Sequence, residues 1–241
     1  MTWAVTLDFH NTIAQCDDWF NLEVYDLIPA FFAWLEATSG AATDPARVAA
    51  GQAHYRKLRR RVIDTGIELD AASAVAAVVS ALGVVASPAL IERALEEIFQ
   101  PTLCRTAALP GVVASVRSLK DAGLRLAVIS SAAYHPFLEW TLAKFELAAC
   151  FDEILTSAST GHYKSSTRIY ETALELLAVQ PHKCIHIGDS ERFDVVPARD
   201  VGMRTVLVGA EAGHGSAHLE LSTLVDLPQA LHQAFGLPLA L

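Results

Sequence analysis

Cysteine is scarce: Cys16, Cys104, Cys150 and Cys184 lie far apart with no CxxC pair. That excludes a disulfide framework or a zinc ribbon and suits the reduced thiols of a cytoplasmic protein. Positive charge is also in short supply. With 18 Lys and Arg against 27 Asp and Glu, the chain carries a formal charge of −9. Such a surface repels phosphate backbones and anionic lipid, so neither nucleic acid nor a membrane surface is an expected partner. The N-terminus has no basic segment and Asp8 interrupts its apolar run, so no signal peptide is expected. Residues 71–90 carry no charge, yet Ser73, Ser80, Gly83, Ser87 and Pro88 interrupt them. This predicts a buried helix ending near Leu82 rather than a membrane span. There are no internal repeats and no low-complexity linker, and Gly209, Gly213 and Gly215 are wrongly spaced for a dinucleotide fingerprint.

Apolar material is plentiful. Hydrophobic residues make up 52% of 241 residues and charged ones 19%, enough for a sizeable core and too much for a disordered chain. Short apolar runs at 3–7, 124–129, 153–155, 184–187 and 205–208 read as buried strands. Amphipathic stretches at 112–121, 136–145, 167–177 and 195–200 separate the later runs. This alternation predicts an α/β core, a Rossmann-like doubly wound parallel sheet. Between about Cys16 and Leu109 strand-like runs vanish and helices follow one another, with Gly40, Gly66 and Gly83 between them. The expected organisation is an α/β core formed by 1–15 and 110–241 and an inserted helical domain over 16–109. A last amphipathic stretch, 224–235, carries Pro228 in its first turn and is expected to pack on the core.

Ligands in doubly wound sheets bind beyond the carboxyl ends of the strands, and four segments deliver reactive side chains there. Asp8 to Thr12 follow the first strand, where a nucleophile belongs, although taken alone the segment is better read as a turn in which Asp8 and Asn11 bind loose backbone donors. Ser130 and Ser131 end the second strand and present hydroxyls and amides able to hold an anion. Lys164 follows the third strand through a loop of Gly161, His162 and Tyr163, where its ammonium can pair with Asp8 and with a substrate anion. Gly188, Asp189 and Ser190 end the fourth, and Asp194 follows five residues after Asp189, giving the oxygen chemistry that magnesium favours. Alone, each has an ordinary turn or capping explanation.

In this order, the four segments together resemble the haloacid dehalogenase superfamily. The likeness runs from residue 3 to about 208, and the insert after the first segment resembles the helical cap of that family. The resemblance implies a magnesium-dependent phosphohydrolase acting on a small phosphorylated metabolite through an aspartyl-phosphate. It makes Asp8 the nucleophile, with Lys164 neutralising transferring charge. Phe9 through its backbone, Thr12, Ser130 and Ser131 become the substrate-binding group. Asp8, the His10 carbonyl, Asp189 and Asp194 become the magnesium site. Ser165 stands where many members have Pro, a minor departure.

His10 is the larger departure, since phosphatases of this family usually carry a second Asp there as acid and base. Imidazole can do both near neutral pH, so His10 counts among the catalytic candidates. It also leaves open a dehalogenase or phosphonatase, or a catalytically silent binding protein of the same fold. Arg56, Lys57, Arg59, Arg60 and Arg61 form a basic run in the insert, read either as a solvated helix face or as a hand for an anionic substrate. His135 is read as a turn residue, and His214 and His218 as loop residues rather than a metal pair. Monomer and homodimer are equally compatible with the sequence.

Overall fold

The computed structural model describes residues 3–209 and 215–238, so His214 lies outside the described residues. Strand β1 (Ala4–Leu7) is buried at every residue, as a strand covered on both faces must be. A two-residue strand β2 (Ala14–Gln15) leads into α1 (Asp17–Asn21), a wide π turn (Leu22–Asp26), α2 (Leu27–Ser39), α3 (Pro45–Thr65), α4 (Ala71–Ala81) and α5 (Pro88–Phe99). The chain returns through β3 (Ala107–Ala108), which pairs antiparallel with β2. Alternation then begins: α6 (Val112–Asp121), β4 (Arg125–Ser130), α7 (His135–Lys144), β5 (Glu153–Thr156), α8 (Ser157–Thr160), α9 (Arg168–Leu176), β6 (Cys184–Gly188), α10 (Val196–Asp200), β7 (Arg204–Val208), β8 (Leu219–Leu221) and α11 (Leu227–Phe235).

Local chemistry explains the helix boundaries. Asp44 accepts the N–H of Ala46 and Pro45 opens α3, while Ser87 accepts the N–H of Leu90 and Pro88 opens α5. Gly40 and Gly66 close α2 and α3 in the left-handed conformation. The uncharged stretch 71–90 is thereby divided between two helices, and no helix among the described residues is long and apolar enough to cross a membrane.

The main sheet has the order β5-β4-β1-β6-β7-β8, parallel throughout. The direction of winding reverses at β1, so a crevice opens beyond the carboxyl ends of β1 and β6. Strands β2, β3 and β8 were not expected. Each is two or three residues long, too short for any periodicity to register.

The helices of 17–99 are tied to the loops at that end of the sheet by buried polar contacts. The carboxylate of Glu23 accepts the N–H groups of Ala133 (2.9 Å) and Tyr134 (3.2 Å), and the Ala133 carbonyl accepts the N–H of Ala71 (2.9 Å). The segment after α3 pairs with the loop carrying Lys164: Tyr163 N–H donates to Gly66 O (3.0 Å) and Glu68 N–H to Gly161 O (2.9 Å). Gly66 has φ +69°, and a Cβ there would lie 2.6 Å from the Ser166 Cβ, so this close approach requires glycine.

Burial, opposed by Arg59 and by the Ala133 amide, pushes Glu23 from an ordinary 4.5 up to about 7. A carboxyl raised in the fold contributes stability that is complete below its unfolded pKa and is lost as pH rises through the folded one. Between pH 4.5 and 7 this amounts to about 3 kcal/mol. We expect thermal melts of Glu23→Gln to show a shallower loss of stability over that interval than wild type; parallel curves would show that Glu23 does not titrate there.

Candidate active site

The register of the sheet sets the geometry. Leu7 lies level with Ile187, and the N–H of Asp8 donates to Ile187 O (2.8 Å), which carries Asp8 one step past β1 beside Gly188. After β6, Ser190 caps a wide π turn (Glu191–Val195) by accepting the N–H of Phe193, and Tyr170 donates its hydroxyl to Phe193 O. This turn folds Asp194 back under the strand end, where its Oδ2 accepts the Ser190 N–H (3.0 Å). A Cβ on Gly188 would lie 2.2 Å from the Asp194 Cγ, so only glycine admits the carboxylate.

Lys164 reaches the same point from the far side. Between β5 and its loop lies α8, capped by Thr156 and Ser159 and ended by Gly161. The buried ammonium donates to Asp194 Oδ1 (2.6 Å) and to Asp8 Oδ1. Asp8, Asp189 and Asp194 each offer a carboxylate oxygen, and these lie within 4.8 Å of one another. Three convergent carboxylates suit a hard cation.

Electrostatics separates the three acids. Burial, reinforced by Asp194 and Asp189 and opposed by Lys164, pushes Asp8 up to about 8. Asp189 is also raised, by burial and by Asp194, although Asn11 hydrogen-bonds to its side chain. Asp194 goes the other way: against burial, Lys164 and His186 hold it well below the usual carboxylate range. Three adjacent carboxylates cannot all ionise freely with one ammonium. A divalent cation would remove that conflict, so the donor set fits one.

Among the remaining candidates, Ser130 and Ser131 line the crevice with Asp8, His10, Lys164, Asp189 and Asp194. Ser131 Oγ also accepts the N–H of Lys164 (3.3 Å). The imidazole of His10 stacks on Phe20 (centroids 4.7 Å apart, planes 14°), with Nε2 3.3 Å from Asp17 Oδ1. The ring of Phe9 is buried against Trp19 and Phe137, leaving only its backbone for a ligand. Thr12 does not line this crevice. It borders a neighbouring cavity of about 200 Å³ with Leu109 and Val208, its hydroxyl buried without a hydrogen-bond partner.

The basic run divides. Arg56, Lys57, Arg60 and Arg61 are exposed, whereas Arg59 turns inward and lines the crevice. His135 bonds Thr156 Oγ1 (3.0 Å) and borders a separate groove, and His218 bonds Thr205 (3.0 Å).

A sequence profile of the haloacid dehalogenase-like hydrolases matches residues 4–202. The chain belongs to that family. Similar proteins include haloacid dehalogenase-like hydrolase domain-containing protein 3 of Bos taurus, 41% identical over 100 residues, which are 42% of this chain and 39% of that protein. The glyceraldehyde 3-phosphate phosphatase of Methanothermobacter thermautotrophicus is 31% identical over 103 residues, covering 42% of this chain and 45% of the relative. The chain thus spans less than half the length of these curated relatives. Among solved structures, a HAD phosphatase from Thermococcus onnurineus superposes with a TM-score of 0.66 at 22% identity, covering 96% of this chain and 98% of that one. A 2-haloacid dehalogenase from Pseudomonas syringae pv. tomato gives 0.68 at 19%, over 97% and 99%. These structural likenesses establish a shared fold.

Within this haloacid dehalogenase-like hydrolase, two residues not foreseen from sequence shape the site. Glu23 and His186 are both buried. His186 sits in β6, where its Nε2–H donates to Asp194 Oδ1 (3.0 Å) and its Nδ1 accepts the Thr6 hydroxyl (2.9 Å). Burial lowers its pKa and favours this neutral form. A lone imidazole in the otherwise apolar run Cys184–Gly188 was the signal available; Glu23, among aromatic helical neighbours, offered none.

Two substitutions probe this support. Gly188→Ala should displace the Asp194 carboxylate and cost about 1–3 kcal/mol of stability by overpacking. His186→Leu should retain the fold in circular dichroism but lower magnesium affinity or rate roughly 10–100-fold, as loss of a ligand-orienting partner does. Unchanged magnesium titration in His186→Leu would leave His186 a packing residue only.

Proposed function

We propose that this chain is a magnesium-dependent phosphohydrolase that cleaves a small phosphorylated metabolite through an aspartyl-phosphate on Asp8. The observation that carries the reading is the meeting of three carboxylates at the switch point of the sheet, with a buried lysine joining Asp8 to Asp194. Relatives named glyceraldehyde 3-phosphate phosphatase and pyrophosphatase PpaX support the same reaction class. In this reading residues 16–109 form a cap over a core of 1–15 and 110–241.

Asp8, the His10 carbonyl and Asp189 would hold magnesium, with Asp194 aligning the set. When bound, the metal supplies positive charge that offsets the transferring phosphoryl group. An ionised Asp8 oxygen bonds to phosphorus as the bond to the leaving alcohol breaks, and protonated His10 gives its proton to the leaving oxygen. Neutral His10 then takes a proton from a water molecule whose oxygen attacks the same phosphorus. The bond to Asp8 breaks, inorganic phosphate leaves and the carboxylate is restored. Asp17 lies 3.3 Å from His10 Nε2, and stacking on Phe20 fixes the plane of the ring at the mouth of the crevice. Lys164, Ser130, Ser131 and the backbone at Phe9 bind phosphoryl oxygens, and Thr12, which borders another cavity, takes no part in that binding.

A dehalogenase or phosphonatase is the second reading, favoured by His10 standing where phosphatases of the family have Asp. Against it, a metal-free dehalogenase has no use for Asp189 and Asp194 together. Magnesium dependence separates the two, and turnover of any phosphoester excludes a silent binding protein.

Asp8→Asn should abolish hydrolysis with the fold intact, and Asp189→Asn should lower rate and magnesium affinity together; full activity in either sinks the mechanism. His10→Ala should lose roughly 10²–10⁴-fold in rate on alkyl phosphates, the usual worth of acid–base catalysis, and much less on an aryl phosphate whose leaving group needs little protonation. Equal losses on both esters would assign His10 a binding role.

A further inference from the structure

The crevice has two unlike halves. Asp8, Lys164, Asp189 and Asp194, with Ser130, Ser131 and Ser190, give one part of the lining of a cavity of about 260 Å³, while Trp19, Phe20, Val24 and Ile63 from the helical stretch, joined by Phe193, give it an apolar wall. A leaving group bonded to a phosphoryl on Asp8 must lie against that wall. Among the described lining residues, Lys164 and Arg59 are the lysine and arginine, and both are committed. Lys164 joins Asp8 and Asp194. Arg59 is ion-paired with Glu68, whose side chain is only 1% exposed, and donates also to Leu69 O (3.4 Å). Glu68 is fixed in turn by the Ser157 hydroxyl and the Leu69 N–H. A second carboxyl, Glu23, lines the same side, held by two backbone amides of the loop after β4.

The wall therefore offers an anion no uncompensated cation, because Glu68 matches the charge of Arg59, Asp17 lies 3.3 Å from the His10 ring, and Glu23 adds a further acid. Releasing Arg59 would strand Glu68 in the interior, which is strongly disfavoured. The apolar and aromatic surface welcomes the carbon skeleton of an uncharged alcohol. We propose that the substrate is a phosphomonoester of a small, uncharged, largely apolar alcohol, and that Glu23 and Glu68 discriminate against esters carrying a second anionic group. This rests on the phosphohydrolase reading and names its substrate class.

The test is a matched pair, 4-carbamoylbenzyl phosphate and 4-carboxybenzyl phosphate, alike in shape and differing in charge at the far end. The methylene group insulates the leaving oxygen from that difference. With magnesium at about pH 8, where Glu23 is ionised, wild type should favour the neutral ester by at least about tenfold in kcat/KM, chiefly through KM, as like charges in a partly buried site require. Glu68→Gln frees Arg59 and should shrink or reverse the preference. Glu23→Gln, which removes charge without uncovering Arg59, should narrow it and serves if the first variant does not fold. Equal or better use of the carboxylated ester by wild type, or a preference unmoved by both variants, overturns the substrate class while leaving the phosphohydrolase standing. Hydrolysis of neither ester, nor of any smaller phosphomonoester, overturns both.

Discussion

The ammonium of Lys164, held between Asp8 and Asp194, is the interaction on which the rest of the site depends. All three groups are buried, and an isolated charge in such surroundings is strongly disfavoured. Burial alone would lower the Lys164 pKa, yet Asp194 and Asp8 raise it above its ordinary value. The lysine in turn keeps Asp194 ionised and opposes the protonation of Asp8. Neither end of the arrangement is tenable without the other.

That charge balance constrains the backbone around it. Asp194 can lie beneath the end of β6 only because Gly188 has no Cβ and because Ser190 and Tyr170 hold the intervening turn. His186 supports it from within the strand by filling a second acceptor site on the same oxygen that receives Lys164. The loop carrying Lys164 is itself anchored twice, by Ser131 and by backbone pairing with the segment after α3. The helical stretch thus helps to place a residue of the sheet domain's rim, through hydrogen bonds rather than apolar packing alone.

The crevice divides its chemistry spatially. Its floor concentrates titratable groups where strands end, and its wall presents aromatic rings with acids that cancel the nearest cation. Most of the wall comes from the helical stretch, with Phe193 from the segment that also carries Asp189 and Asp194.

Sequence by itself determined the parallel α/β core, because predominantly apolar, fully buried runs such as Ala4–Leu7 and Cys184–Gly188 have few other ways to satisfy their backbones. It also determined which residues stand at the strand ends, since Asp8, Ser130 and Asp189 follow those runs directly. Tertiary structure alone decided which of them meet. Thr12, four residues after Asp8 in sequence, turns to another cavity, while Arg59 leaves its exposed neighbours Arg60 and Arg61 and enters the crevice. It also brought in Glu23 and Glu68, whose charges meet the rim of the sheet only after α1 to α4 have folded over it. Periodicity records whether a side chain faces a core or solvent; the partner it finds there depends on contacts between residues more than a hundred positions apart, such as Glu23 with Ala133 and Lys164 with Asp8, which no local pattern encodes.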